Sequence, residues 1–130
     1  MALTSSDLAE IVGLRQVLRT GIEDPSTLVE LNRFESQVRL TFNDLRDQRR
    51  RTALEPEGKG ARLLLSTLIA ITWTAVGNGT WLQLKSCENQ ECRWVIFDHS
   101  RNATLRWCSD SACGSRERAR RYRARQLRTP

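Results

Sequence analysis

The chain has 130 residues, 39% of them hydrophobic and 28% charged, enough for one domain or for a small core with a metal-stapled appendage. Its longest apolar run, Leu63 to Val76, is interrupted by Ser66, Thr67, Thr72 and Thr74 and stays short of the ~20 residues of a membrane span. The opening MALTSSDLAE lacks the basic-then-apolar pattern of a secretory signal, so a cytoplasmic protein with no membrane partner is expected. The net charge of +6 sits in one half: residues 1–84 carry 10 Lys/Arg against 10 Asp/Glu, and residues 85–130 carry 11 against 5.

The first element reads as a helix, with Leu8, Ile11, Val12, Leu14, Val17 and Leu18 at three- and four-residue steps, Ser5 or Ser6 as cap and Gly21 as stop. Asp24-Pro25 reads as an N-cap followed by proline at the first helical position, opening a second helix that turns Leu28, Leu31 and Phe34 inward and fades near Ser36. At Val38 the period changes to two. Val38, Leu40 and Phe42 alternate with Arg39 and Thr41, which predicts a half-buried strand, with a return strand through Thr52, Ala53 and Leu54 and a polar loop over residues 43–51. Glu55-Pro56-Glu57-Gly58-Lys59-Gly60 is a breaker. Residues 61–76 then form the strongest helix, apolar on more than one face and therefore expected to be buried against the two earlier helices. Gly77-Asn78-Gly79 ends it, and Trp81-Leu82-Gln83-Leu84 leads into the first cysteine pair.

Cys87-x4-Cys92 is followed after fifteen residues by Cys108-x4-Cys113. Two close pairs separated by a short excursion are how a chain surrounds a tetrahedral ion, and clustered cysteines in the cytoplasm are metal ligands more often than disulfides or buried small hydrophobes. One structural Zn2+ ion on Cys87, Cys92, Cys108 and Cys113 is the expectation. Four cysteines would close the coordination sphere to water and substrate. The excursion reads as a β-hairpin, with Trp94 to Phe97 going out, Asp98 to Asn102 turning and Leu105 to Trp107 returning. Ser109 is placed to cap a following helix. Knuckle, hairpin and ligand-bearing helix make a treble-clef-like arrangement. His99, the lone histidine, fits a turn residue at the hairpin tip better than a ligand or general base. No second histidine, paired carboxylate or nucleophile motif accompanies it, so no enzyme is expected. Trp94 and Trp107 are read as a miniature hydrophobic core beside the metal rather than as base-stacking platforms.

Between Gly114 and Pro130 lie Arg116, Arg118, Arg120, Arg121, Arg123, Arg125 and Arg128, no lysine, and one acid, Glu117. On a helical wheel Ser115, Ala119, Tyr122 and Gln126 share one face and arginines cover most of the rest. A charge run is often only a solvated tail, but exclusive use of the planar, bidentate guanidinium suits phosphate and guanine. If five to seven phosphates were engaged, affinity would fall with salt at a log–log slope on the order of −4 to −6. Arg101 and Arg106, with Asn102, offer a second contact surface on the hairpin.

Residues 84–125, with C-x4-C-x-W, DHSRN, and R-W-C-x4-C-G-x-R before a basic helix, resemble the CGNR zinc-finger domain of bacterial regulators. The name-giving motif stands here as Cys113-Gly114-Ser115-Arg116, with serine in place of asparagine. In that family the finger follows an α/β domain called ABATE, in predicted stress-induced transcription regulators, and residues 3–84 are similar to the latter part of such a domain. The resemblance implies DNA binding and transcriptional control. The expected protein is thus α+β: a mainly helical ABATE-like domain over 1–84 with a small hairpin, for dimerisation or regulation, then a four-cysteine zinc finger over 85–130. Its expected role is a nucleoid-associated, homodimeric regulator of double-stranded DNA that uses Arg101, Arg106, Arg116, Arg118, Arg120, Arg121, Arg123 and Arg125 as contacts. The alternative is a zinc-stabilised module docking on an acidic surface of the transcription machinery, with RNA a weaker third for want of a stacking platform.

Overall fold

In a computed structural model, which describes residues 3–41 and 53–127, the first helix, α1, spans Ser5–Glu23. Its cap is Thr4, one residue before the expected serines. The Thr4 hydroxyl accepts from the Asp7 N–H at 3.1 Å while the Asp7 carboxylate accepts from the Thr4 N–H at 2.8 Å, a reciprocal capping box. The Thr4 N–H first, and then the Thr4 hydroxyl, which also donates to the Asp7 carboxylate at 2.8 Å, hold the Asp7 carboxyl below its ordinary range. Gly21 does not stop the helix but lies buried in its last turn. A Cβ at Gly21 would stand 2.3 Å from Leu28 Cδ2, and the Gly21 carbonyl accepts the Trp81 indole N–H at 3.0 Å.

Asp24 does cap the next element, its carboxylate accepting from the Ser26 N–H at 3.0 Å, but Pro25–Arg33 is a 3₁₀ helix rather than an α-helix. At three residues per turn, Leu28, Leu31 and Phe34 line up along one edge, and all three are half-buried. Strands β1 (Val38–Thr41) and β2 (Ala53–Pro56) form an antiparallel pair with Val38 opposite Pro56 and Leu40 opposite Leu54. Proline is tolerated because each strand of a two-stranded sheet has a free edge, so the breaker begins after Pro56 rather than before it. The expected inward alternation is not observed: Leu40 is 57% exposed. Phe42, Thr52 and the loop over 43–51 lie outside the described residues.

The long apolar helix, α2, spans Gly60–Gly77. By length and composition it could cross a membrane, a test that core helices also pass. Its hydroxyls are satisfied locally: Thr67, Thr72 and Thr74 donate to the carbonyls four residues back. Buried Ser66 instead accepts the Gln37 N–H at 3.0 Å. Ala61, Leu65 and Ala70 join Leu14, Val17 and Trp81 in the core. The expected burial all round does not occur. Ile71 is 60% and Trp73 71% exposed, since one helix, a 3₁₀ turn and a hairpin, the described elements around α2, are too few to wrap it. Asn78 and left-handed Gly79 end it, the Asn78 carboxamide oxygen accepting from the Thr80 N–H at 3.0 Å.

The chain divides into two compact units, Met1–Trp81 and Leu82–Pro130. In the second, β3 (Leu84–Ser86) pairs antiparallel with β4 (Val95–Phe97), Lys85 opposite Ile96. The basic helix, α3, spans Ser115–Gln126 and follows a π-helical turn, Asp110–Gly114. With two separate hairpins and three α-helices among the described residues, the chain is α+β. The expected hairpin within the excursion is corrected. The partner of β4 precedes the first cysteine pair, so the knuckle itself is the reversal. Residues 105–107 are not a strand, although the Glu88 N–H donates to the Arg106 carbonyl at 3.0 Å.

Candidate metal centre and basic helix

The first pair is set by a turn on Asn89. Its carbonyl accepts the N–H groups of Cys92 and Arg93 at 2.9 and 3.1 Å, and its buried side chain accepts from the Glu91 N–H at 3.1 Å. Arg93, at φ +51°, turns the chain back so that the Cys87 N–H reaches the Trp94 carbonyl at 2.8 Å. In the second pair the Cys108 N–H points at Cys87 Sγ, 3.5 Å away. Ser109 caps the following turn as expected, accepting from the Ala112 N–H at 3.3 Å, and Cys113 is carried on that turn. Gly114 is needed for room: a Cβ there would lie 2.8 Å from Asp110 Oδ1 and 3.0 Å from the Trp107 ring. At the position where the motif's asparagine would stand, Ser115 donates to the Asp110 carbonyl at 3.4 Å and accepts from Arg118 at 3.3 Å.

These turns bring the sulfurs of Cys87, Cys92, Cys108 and Cys113 within 4.8 Å of one another, so the four are clustered to hold a metal ion. Cys92 and Cys108 are 3.6 Å apart, and Cys108 and Cys113 3.5 Å. A disulfide needs ~2.05 Å, and a tetrahedral ion with ~2.3 Å bonds to sulfur needs edges of about 3.8 Å. The cluster fits the second case. The Trp94 N–H, chiefly, holds the Cys92 thiol below its ordinary range. Hydrogen bonding to the neighbouring sulfurs, Cys113 first, pushes Cys108 up to about 12. Four sulfurs so close cannot all shed their protons unless a cation replaces them.

The excursion is organised by Asp98, which the sequence alone marks only as turn chemistry. Its side chain is wholly buried. It accepts from Lys85 Nζ at 2.7 Å, the Ser100 hydroxyl and N–H at 2.5 and 3.0 Å, and the Leu105 N–H at 3.0 Å. Those donors, Lys85 first, hold its carboxyl far below the ordinary range. Asp-x-Ser is the local signal that marks such a turn; the ion pair across the hairpin has none. His99 is exposed, stacked on Phe97 at 6.4 Å, its Nδ1 3.2 Å from the Phe97 carbonyl. Trp94 is 68% exposed and so is no part of a core, while Trp107 is half-buried beneath the Arg106 guanidinium, 5.0 Å from its ring.

The predicted contact arginines do not form one uniform surface. Arg106 holds Glu88 with two Nε bonds of 2.9 Å and one Nη2 bond of 2.5 Å. Arg118 holds Asp110 at 2.9 Å. Arg120 and Arg121 converge on Glu117 at 2.5 and 3.2 Å. The Glu117 side chain is only 8% exposed, and it is the one buried residue of α3. Ser115, Ala119, Tyr122 and Gln126, the face without arginines, are all exposed. Both guanidinium partners of Glu117 lie on α3 itself, and Arg118 ties the helix to Asp110 of the preceding turn. Arg123 Nε donates to the Ala119 carbonyl at 3.3 Å. Arg101, Arg116 and Arg125 are exposed.

Residues 83–126 match the family model described as the CGNR zinc finger. The match takes in the paired strands β3 and β4, all four cysteines and α3, and it does not extend into the N-terminal unit. No curated protein matches the chain.

Proposed function

We propose that this protein is a zinc-dependent, DNA-binding transcription regulator of the bacterial cytoplasm, with Leu82–Pro130 as its reading head. The observation that carries the proposal is the direct continuity of the four-cysteine cluster with the arginine helix. Cys113 and Gly114 are the last residues of the turn from which α3 starts, so an ion on the cysteines fixes the origin of α3. Four thiolates make a soft, closed donor set that favours zinc in a structural role. Zinc there would supply folding energy to a unit with little apolar interior. An ABATE-like regulatory role and dimerisation are assigned to the N-terminal unit, because one twelve-residue helix reads few base pairs and two half-sites raise specificity.

One observation favours a second reading. Arg106, Arg118, Arg120 and Arg121 already meet carboxylates within this unit, which is the chemistry of docking on an acidic protein surface. Selection of the zinc-loaded chain against a random duplex pool at near-physiological salt separates the two. The regulator reading expects enrichment of a defined motif, a palindrome if the chain acts as a dimer. Recovery of unenriched DNA, or of none, would refute it and leave the protein-docking module in its place.

A further inference from the structure

The arginines of α3 divide into two faces. Arg116, Arg120 and Arg123, at i, i+4 and i+7, lie along one side of the helix, and Arg118, Arg121 and Arg125, at i, i+3 and i+7, lie along the other. The first set borders a cleft. Asn89, Gln90 and Glu91 of the knuckle form one wall, and Arg116, Glu117, Arg120 and Arg123 form the other, around about 380 Å³. Arg118 and Arg121 are instead turned to Asp110 and Glu117.

From this geometry we infer that the cleft between the knuckle and α3 is a phosphate site, and that its ligand is a phosphodiester of the DNA backbone. The inference rests on the DNA-binding reading above and names where the backbone sits. Three features support it. The first is unused donor capacity. A guanidinium carries five N–H donors. Arg123 uses Nε on the Ala119 carbonyl. Arg120 uses Nε and Nη2 on Glu117. Arg116 has no hydrogen-bond or ion-pair partner among the described residues. The second is preorganisation. Glu117 fixes the Arg120 guanidinium from below, so an incoming oxygen meets a planar donor edge already oriented, and the ordering cost of a long side chain is reduced. The third is charge. Three arginines stand against Glu91 and Glu117 in the lining, a net charge of one positive unit. That balance matches a singly charged diester better than a doubly charged phosphate monoester, and it sets nucleic-acid backbone above free phosphate or a phosphorylated side chain.

Arg116→Gln is the clean test, because removing a side chain without partners leaves the fold and the metal cluster intact. Duplex affinity is read across a salt series for wild type, Arg116→Gln, the cleft triple Arg116→Gln/Arg120→Gln/Arg123→Gln, and the opposite triple Arg118→Gln/Arg121→Gln/Arg125→Gln, each with its zinc content. With zinc retained, Arg116→Gln should weaken binding several-fold, and the cleft triple on the order of 10- to 100-fold, flattening the log–log salt slope by about one unit per phosphate lost. The opposite triple should change both much less. If Arg116→Gln is silent, or the opposite triple costs as much as the cleft triple, the cleft assignment is overturned and the DNA-binding reading stands. A wild-type chain that binds no duplex at any salt overturns both.

Discussion

Met1–Trp81 and Leu82–Pro130 differ in what they place out of water. The first buries Leu14, Val17, Ala61, Leu65, Ala70 and Trp81, and its buried hydroxyls on Ser66 and Thr72 are satisfied by neighbouring backbone. Among the described residues of the second, the only buried side chains from the hydrophobic set are Cys87 and Cys113, and they are joined by Asn89, Asp98 and Glu117. A unit of that size rarely closes on apolar area alone. It relies instead on convergent sulfurs and on carboxylates ringed by donors. Buried carboxylates are tolerated only when fully partnered. Asp98 and Glu117 meet that condition through Lys85, Ser100 and Leu105 in one case and Arg120 and Arg121 in the other. The contrast teaches that the two units should fail for different reasons and under different reagents.

The largest expected effect follows from that. Chelation, or Cys108→Ser, should remove the organising ion from Leu82–Pro130 and unfold it, since structural zinc supplies on the order of 10 kcal/mol of apparent folding energy in small modules. Met1–Trp81 should keep its fold. Amide exchange should show loss of protection over β3, β4 and α3 with α1 and α2 still protected. Loss of protection in α1 and α2 as well would erase the contrast.

The mirror experiment is next in size. Leu65 is 1% exposed in the core of the first unit, and Leu65→Ala should cost that unit about 2–5 kcal/mol. Zinc stoichiometry and the protection of the second unit should be unchanged, as read by metal analysis of the purified variant and by amide exchange. A variant that also loses zinc would mean that the first unit's core supports the metal centre.

What is legible in the sequence follows the same division. Local signals are plain in it: the four-residue gap within each cysteine pair, the Ser109 cap, the Asp24-Pro25 start and the Gly77-Asn78-Gly79 stop each depend on residues within a few positions of one another. Features set by distant partners are not. Leu105 to Trp107 has the composition of a returning strand, yet β3 occupies the place beside β4, because the tight Asn89 turn brings Leu84–Ser86 there first. Glu117 reads as a minor offset to seven arginines, and its burial depends on where α3 meets the knuckle. Periodicity and apolarity alone place Leu40 and Trp73 inward, and no sequence pattern reports how many elements are available to cover them. The exposure of Trp94 is of the same kind: tryptophan beside a cysteine pair says nothing about which side of the turn the ring takes.

The smallest effect tests how local the stability of the first unit is. Thr4→Ala removes the hydroxyl that caps α1 and should cost about 1 kcal/mol, seen as faster exchange of the first-turn amides with little change at Leu14 or Leu65. The capping box also carries a pH signature: the backbone N–H of residue 4, which the variant keeps, and then the Thr4 hydroxyl, which it loses, lower the folded-state Asp7 carboxyl below its unfolded value. A depressed carboxyl stabilises above the unfolded pKa, about 3.9 for aspartate, and its contribution fades as pH falls through the lower folded value. The gap between wild type and Thr4→Ala should therefore stay level from neutral pH down to about pH 5 and narrow below about pH 4. A gap that widens on acidification would mean that Asp7 is better bound when protonated, and the reciprocal bonding of Thr4 and Asp7 would not be what starts α1.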